Sequence, residues 1–388
     1  MLRWLATDGG ALNVLRYITF RAACAAGFAF LLSVVFGPRL IRYLQRKRLG
    51  EDTTKSDSEK LNELHGTKRG TPTMGGLMLL AAVLASSALF AAANVLVLLA
   101  TGAMLGMGLI GAVDDWVKLR TRKKGLSGRR KFALQWAVAL CVGLAMHAHF
   151  SGPCSVQSAP GCGSGATAVL EAAERQTQDD DGPAGTALYF PFLKHAVWQM
   201  GLVFVLFAAL VIVAASNAVN LTDGLDGLAA GCGVFVAGAL AIASYVVGRA
   251  DTSSYLLLPY VNGAGELSVV CAALLGALLG FLWFNCYPAQ VFMGDTGALA
   301  LGGGFGTIAL ATKQEFLLLM AGGIFVVETL SVILQVAGFR LTGRRILRIA
   351  PLHHHFEFAG QHENRVTTRL WIVAAFLALF ALTTLKLR

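Results

Sequence analysis

Long apolar stretches separated by short polar segments dominate the pattern of the chain. A helix needs roughly 20 apolar residues to cross the hydrocarbon core of a bilayer. Most of the apolar stretches reach or approach this length, so the pattern predicts ten transmembrane helices. The predicted spans are Tyr17–Pro38, Met74–Phe90, Ala92–Val113, Phe132–Phe150, Phe192–Ala215, Gly227–Val247, Tyr260–Phe284, Ala298–Thr312, Glu315–Ala337 and Val366–Leu385.

Composition supports this class of protein. The chain has 388 residues, of which 56% are hydrophobic and only 14% are charged, whereas soluble domains have about 25% charged residues. We therefore predict one all-α polytopic membrane domain over residues 1–388, with no separate soluble domain.

The distribution of charge predicts the orientation of the helices. The formal net charge is +10, which could indicate nucleic-acid binding, but the basic residues gather in alternate loops, as in the positive-inside pattern of membrane proteins. The interpretation is a membrane protein without a nucleic-acid partner, with both termini on the outer side. An acidic insertion at 151–191 is predicted to be periplasmic, and whether its Cys154 and Cys162 form a disulfide is left open.

One polar stretch, Ser216–Ala230, interrupts two apolar runs. It carries Asn217, Asn220, Asp223 and Asp226 in the sequence SNAVNLTDGLDGLAA. Carboxylates beside hydrocarbon are costly and usually have a partner or a function. A helix cap followed by a glycine turn is the plainer alternative, but a cap uses one such side chain rather than four. The stretch is therefore a candidate functional site.

Three further aspartates follow or precede apolar helices on the same predicted face. Asp114 and Asp115 follow the third span, and Asp295 lies in the sequence FMGDTG before the eighth. Adjacent carboxylates repel each other unless a cation neutralises them. Mg²⁺ binds carboxylates together with phosphate oxygens and water, so these three residues, together with Asp223 and Asp226, predict a Mg²⁺ site. A solvated pair at a helix end is the alternative for Asp114 and Asp115.

Two other segments carry candidate substrate ligands. His353, His354 and His355 are consecutive, so their side chains cannot all point the same way. They also lie near arginines, and a phosphate or polar-substrate site is therefore the preferred interpretation. The segment Lys68–Gly76 offers cations, threonine hydroxyls and glycines, but it lacks the P-loop pattern.

Together these motifs resemble the phospho-N-acetylmuramoyl-pentapeptide transferase family, within the polyprenyl-phosphate N-acetylhexosamine-1-phosphate transferase superfamily. The resemblance extends over nearly the whole chain, apart from the insertion at 151–191. The motifs are HGTKRGTPTMGG (65–76), DDWVK (114–118), GLSGRRKF (125–132), NAVNLTDGLDGLA (217–229), FLWFNCYPAQVFMGDTGALALGG (281–303), VETLSVILQV (327–336) and APLHHHFE (350–357).

The resemblance implies a reaction and a location. Members of this family transfer phospho-N-acetylmuramoyl-pentapeptide from UDP-N-acetylmuramoyl-pentapeptide to undecaprenyl phosphate, giving lipid I and UMP, with Mg²⁺ as cofactor. The implied location is the bacterial inner membrane, with membrane lipid around the protein and the active site facing the cytoplasm. The oligomeric state is left open, with a homodimer as one alternative.

The resemblance also implies roles for individual residues. Asp295 is expected to bind Mg²⁺, and Asp114, with Asp115 beside it, to orient or deprotonate the lipid phosphate. Whether an aspartate forms a covalent phospho-enzyme or assists direct attack stays open. The other expected catalytic residues are Asn220, Asp223 and His354. The expected substrate-binding residues are Lys68, Thr73, Lys118, Lys131, Asn217, Asp226, Asn285, Phe292, His353 and His355.

Two alternatives differ from this interpretation. A related transferase that acts on another N-acetylhexosamine phosphate would share the aspartate motifs but should lack the PLHHHFE pattern. A secondary transporter would also carry carboxylates within membrane helices. Transporters place such charges near the bilayer midplane on broken helices, whereas here the charges are predicted to gather at one face.

Overall fold

The chain folds into a bundle of α-helices. A computed structural model describes residues 11–46, 71–121, 125–151, 186–191 and 196–386. The all-α polytopic fold predicted from the sequence is confirmed. Lys68, Cys154 and Cys162 lie outside the described residues, so their predicted roles stay predictions.

The described residues form thirteen α-helices, one β-hairpin and short 3-10 turns. The helices are α1 (Ile18–Arg46), α2 (Gly76–Phe90), α3 (Val95–Thr121), α4 (Gly128–Phe150), α5 (Val203–Thr222), α6 (Leu228–Val247), α7 (Ala250–Leu256), α8 (Leu267–Asn285), α9 (Gly294–Ala311), α10 (Glu315–Ala321), α11 (Gly323–Thr342), α12 (Leu352–Phe358) and α13 (Glu363–Thr383). Strands β1 (Ala187–Tyr189) and β2 (Ala196–Gln199) pair antiparallel. The 3-10 turns are Ala11–Arg16, Ala264–Glu266 and Thr384–Lys386.

Each of the ten predicted spans contains a helix. Eight helical segments in the described part of the chain are long and apolar enough to cross a membrane. The other two predicted spans correspond to α2, which has 15 residues, and α9, which has 18. At 1.5 Å per residue, α2 is about 22 Å long and shorter than a typical bilayer core. The number of crossings and the orientation of the termini therefore stay predictions.

Several predicted boundaries were wrong, including the end of the first span at Pro38, since α1 continues to Arg46. The run Glu315–Ala337 is not one helix, because it breaks at the Gly322–Gly323 pair between α10 and α11, where two residues of low helix propensity meet. The predicted span Phe192–Ala215 becomes helical only at Val203, after strand β2. The third span does not end at Val113, since α3 continues for two more turns.

Helix α9 lies at the centre of the bundle and positions the functional end. Every residue from Thr296 to Ala311 is buried, and the helix packs mainly on α3 and α5. Glycines allow this close approach: a Cβ at Gly302 would lie 2.3 Å from the Ala215 carbonyl oxygen, and one at Gly111 would lie 2.2 Å from the Asp295 carbonyl oxygen. Small residues at membrane helix interfaces bring backbones together in this way, so they fix where α9 begins.

A buried ion pair joins the bundle at the end opposite to Asp295. The Arg21 guanidinium donates to both Glu266 carboxylate oxygens at 2.6 Å, and it also donates to the Phe90 carbonyl oxygen at 2.9 Å. Glu266 accepts a further hydrogen bond from the Ala92 amide at 2.8 Å. The pair therefore ties α1, the α2–α3 turn and the segment before α8 to one another.

Breaking this pair should destabilise the protein. Glu266→Gln leaves the buried Arg21 charge unpaired, and removal of one partner of a buried pair costs about 3–5 kcal/mol. We expect a clearly lower melting midpoint in detergent. The matched control is Asp251→Asn, which breaks the exposed pair with Arg249, at 2.9 Å. Exposed pairs contribute about 0–1 kcal/mol, so equal midpoints for the two variants would contradict this role of Glu266.

Candidate active site

Three aspartates form a compact carboxylate cluster where α3 and α9 meet. Asp114 and Asp115 lie near the end of α3 and are 2% exposed. Asp295 lies in the first turn of α9. Each of the three offers a carboxylate oxygen, and these oxygens all lie within 4.8 Å of one another. The structure therefore brings together three of the five carboxylates that the sequence predicted to form one metal site, and Asp223 and Asp226 are not part of this cluster among the described residues.

Two lysines and an asparagine surround Asp295. Lys118 Nζ donates to Asp295 Oδ2 at 2.7 Å, and Lys131 Nζ donates to the same oxygen at 2.6 Å. Asn220 Nδ2 donates to Asp295 Oδ1 at 2.7 Å. Lys118 comes from α3, Lys131 from α4 and Asn220 from α5, so this single carboxylate joins three helices to α9. The structure places these four residues in contact, and their expected roles in catalysis and substrate binding stay predictions.

The two remaining aspartates differ in their partners. Asp114 Oδ2 lies 2.9 Å from Lys118 Nζ and 3.5 Å from Lys131 Nζ, and its Oδ1 accepts from the Leu126 amide at 2.7 Å. Asp115 instead accepts from Thr296, through the amide at 3.0 Å and the hydroxyl at 2.7 Å. Asp115 thus caps the start of α9, where an anion is favoured, while Asp114 faces the lysines.

The charges of the site do not balance. Three carboxylates face two ammonium groups, which leaves one negative charge in excess when all five are ionised. Carboxylate oxygens are the hard ligands that divalent cations such as Mg²⁺ prefer. The carboxylate cluster could therefore hold a divalent metal ion, and the residues present fit one. Because both lysines contact Asp295 Oδ2, a metal bound at this oxygen would compete with them.

A second chain segment passes beside the carboxylate cluster. The Phe292 amide donates to the Pro72 carbonyl oxygen at 2.9 Å, and the Gly75 amide donates to the Phe292 carbonyl oxygen at 2.8 Å. Gly294 has a φ of +70°, and a Cβ there would lie 2.8 Å from both Thr73 Oγ1 and Asp115 Oδ2. Thr73 and Phe292, both predicted to bind substrate, therefore lie next to the aspartates.

Asp226 and Asn285 hold the loop between α8 and α9. Asp226 Oδ2 accepts from the Ala289 amide at 2.9 Å. Asn285 accepts from the Gly227 amide at 3.1 Å and donates to the Val291 carbonyl oxygen at 2.8 Å. Both residues are 3% exposed. Their observed role is to shape the loop before Asp295, and direct contact with substrate stays a prediction.

The other two polar residues of the α5 end occupy different positions. Asp223 caps the C-terminus of α5, where the chain turns towards α6. Asn217 lies one turn further from this end and donates to Gln135 Oε1 on α4 at 2.8 Å and to the Val213 carbonyl oxygen at 2.8 Å. Asn217 therefore does not contact the carboxylate cluster.

The three histidines point to three different partners, as predicted. His353 is fully buried, with Nδ1 3.1 Å from Glu328 Oε2 on α11. His354 Nδ1 lies 2.7 Å from Glu357 Oε2, and His355 Nδ1 accepts from the Arg348 amide at 3.2 Å.

His353 also connects the histidine motif to the α5 end. A Cβ at Gly224 would lie 2.3 Å from His353 Nε2. The histidine motif is thus packed on the Thr222–Gly227 turn that follows Asn220.

Sequence reasoning missed two side chains of this region. Glu328 lies within the motif VETLSVILQV (327–336) and Gln135 follows the motif GLSGRRKF (125–132), but neither was assigned a role. Glu328 is 1% exposed and also accepts from the His353 amide at 3.1 Å. The available signal was an acidic side chain within an apolar membrane helix, which usually marks function. Gln135 carries no charge and gave no comparable signal.

Comparison with known protein families agrees with the geometry. The family model described as glycosyl transferase family 4 matches residues 95–313, more than half of the chain. Phospho-N-acetylmuramoyl-pentapeptide-transferase signature 1 matches residues 68–80. The first match includes the whole carboxylate cluster and both lysines, and the second includes Thr73. The chain therefore belongs to glycosyl transferase family 4, as a phosphotransferase of the phospho-N-acetylmuramoyl-pentapeptide-transferase type.

Proposed function

We propose that the protein transfers phospho-N-acetylmuramoyl-pentapeptide from UDP-N-acetylmuramoyl-pentapeptide to undecaprenyl phosphate. An oxygen of the lipid phosphate attacks the sugar-linked phosphorus, the bond to the UMP phosphate breaks, and lipid I and UMP are the products. The single observation that carries this proposal is the placement of Asp295, which is held by Lys118, Lys131 and Asn220 within the carboxylate cluster. The family signature supports the choice of the muramoyl substrate.

This site supplies what phosphoryl transfer requires. The reaction depends on positioning and on stabilisation of the charge that spreads over the phosphate oxygens. Lys118 and Lys131 bring two positive charges to one point, and Asp114 lies between them to orient the attacking phosphate. Bound Mg²⁺, with Asp295 as its principal ligand, would supply further charge neutralisation to the diphosphate.

The remaining site residues would bind the two ends of the nucleotide substrate. Lys68, Thr73, Asn217 and Asp226 would lie on the nucleoside side, with Phe292 as an aromatic platform for uracil. His353, His354 and His355 would recognise the muramoyl side or assist phosphate binding.

The location follows from the chemistry of the two reactants. One reactant is a water-soluble nucleotide, and the other is a lipid whose phosphate lies at the membrane surface. The site should therefore face the cytoplasm from the bacterial inner membrane, and Ser151–Pro191 should be periplasmic. A homodimer stays one alternative for the oligomeric state.

The decisive experiment is an assay of purified protein with both substrates and Mg²⁺. UMP release should require UDP-N-acetylmuramoyl-pentapeptide, undecaprenyl phosphate and the metal together, and EDTA should stop it. Release with UDP-N-acetylglucosamine but not with the muramoyl nucleotide would instead assign the protein to another envelope pathway.

The first prediction from this proposal concerns Asp295. Asp295→Asn keeps the side-chain shape but removes the charge that attracts both lysines and the metal. We expect turnover to fall at least about 10³-fold, with the melting midpoint in detergent nearly unchanged. Asp251→Asn, an exposed change at the other end of the bundle, should retain wild-type turnover. Wild-type turnover of Asp295→Asn at saturating Mg²⁺ would refute the assignment.

The second prediction concerns Glu328, which holds His353 against the α5 end. Glu328→Gln weakens the acceptor for the His353 amide and removes the charge beside its ring. Small displacements of positioning groups cost about 100-fold in rate, so we expect a loss of this order in kcat/KM. The control is Glu315→Gln, which changes another buried carboxylate, at the opposite end of the bundle. Similar kcat/KM values in the two variants would show that Glu328 does not position the histidine.

A further inference from the structure

Gln135 forms an amide bridge with Asn217 beneath the carboxylate cluster. Its Oε1 accepts from Asn217 Nδ2 at 2.8 Å, and Gln135 is only 1% exposed. The bridge joins α4 to α5 within the packed interior. Neither residue touches Asp114, Asp115 or Asp295 through a recorded polar contact among the described residues.

The amide bridge repeats the connection made by Asp295 one helical turn away. Gln135 follows Lys131 by four residues on α4, and Asn217 precedes Asn220 by three on α5, so each pair shares one helix face. At the carboxylate cluster, the Asp295 carboxylate joins Lys131 to Asn220. One turn away, the side-chain amides of Gln135 and Asn217 bond to each other directly. Two connections on adjacent turns fix both the spacing and the rotation of α4 relative to α5.

The Gln135 side chain is held at an energetic cost. Its Nε2 is buried and has no hydrogen-bond partner among the described residues. An unsatisfied buried donor destabilises a protein, and an apolar side chain of the same shape would avoid this cost. A residue chosen for stability alone would therefore not be glutamine.

We propose that Gln135 is a positioning residue of the transfer site, acting through its bridge to Asn217. The bridge sets the distance between α4 and α5 so that Lys131 and Asn220 reach opposite oxygens of Asp295. Without it, α4 can move away, and Lys131 can follow Asp114 instead, to which it is already 3.5 Å away. The carboxylate cluster would then keep its residues but lose its geometry. This inference rests on the proposed function.

The first test is Gln135→Met, which keeps the length of the side chain but removes both amide atoms. We expect kcat, measured at saturating nucleotide substrate, to fall about 10- to 100-fold. The melting midpoint in detergent should not fall, because the unsatisfied donor is removed together with the bridge. A purely structural role would instead lower the midpoint and leave kcat of the folded protein unchanged.

Exchange of the two amides provides a rescue. Gln135→Asn alone should break the bridge, because its side chain is one methylene shorter. The double variant Gln135→Asn/Asn217→Gln restores the summed length and should recover most of the lost kcat. If the exchanged pair is no more active than the better of the two single variants, a bridge between these positions is not what matters.

A double-variant cycle tests the route of the effect. If Gln135 acts through Lys131, then Gln135→Met should cost little further activity in a Lys131→Met background, because groups that act as a unit are not additive. Fully additive losses in this cycle would overturn the proposal.

The outcomes separate this inference from the proposed function. Absence of UMP release by the wild-type protein would reject the proposed function itself. An active wild type accompanied by an equally active Gln135→Met variant would reject only the role of Gln135.

Discussion

Charge compensation within a membrane helix bundle is the constraint on which the rest of the site depends. Three carboxylates within 4.8 Å of one another, at the ends of apolar helices, repel each other strongly in surroundings of low dielectric. Lys118 and Lys131 offset two of the three charges, and both contact the same oxygen of Asp295. The remaining negative charge would favour a bound cation. In the proposed function, that cation and the two lysines would together hold the diphosphate.

The helix packing makes this arrangement possible. Asp295 reaches the cluster because α9 is buried from Thr296 to Ala311 and glycines let α3 and α5 approach its backbone closely. Asp115 caps the first turn of α9 through Thr296, so one carboxylate positions the helix that carries another. The neighbouring loops are held in the same manner. Asp226 accepts a hydrogen bond from the Ala289 amide, and Asn285 accepts one from the Gly227 amide. Several polar side chains therefore build the site without facing its centre, and the opposite end of the bundle is fixed separately by Arg21 and Glu266.

Much of this could be predicted from the sequence, and the failures have physical reasons. Hydrophobic stretches identified the helices because membrane spans are long and apolar, and isolated carboxylates identified the cluster because charge is rare there. The helix break at Gly322 was missed because hydropathy measures how apolar a segment is and does not reflect the low helix propensity of glycine. The different partners of Asp114 and Asp115 could not be predicted either. They depend on which of the two carboxylates faces Thr296 in the folded bundle. Gln135 was missed because its role depends on a partner 82 residues away.

The central claim is that Asp295 lies at the metal and phosphate site of the transferase. Anomalous diffraction from crystals of the full-length protein grown with Mn²⁺ in place of Mg²⁺ tests it most directly. We expect one strong peak within coordinating distance of an Asp295 carboxylate oxygen, with Lys118 or Lys131 displaced from that oxygen. A metal peak bound elsewhere, with both lysines still on Asp295, would contradict it.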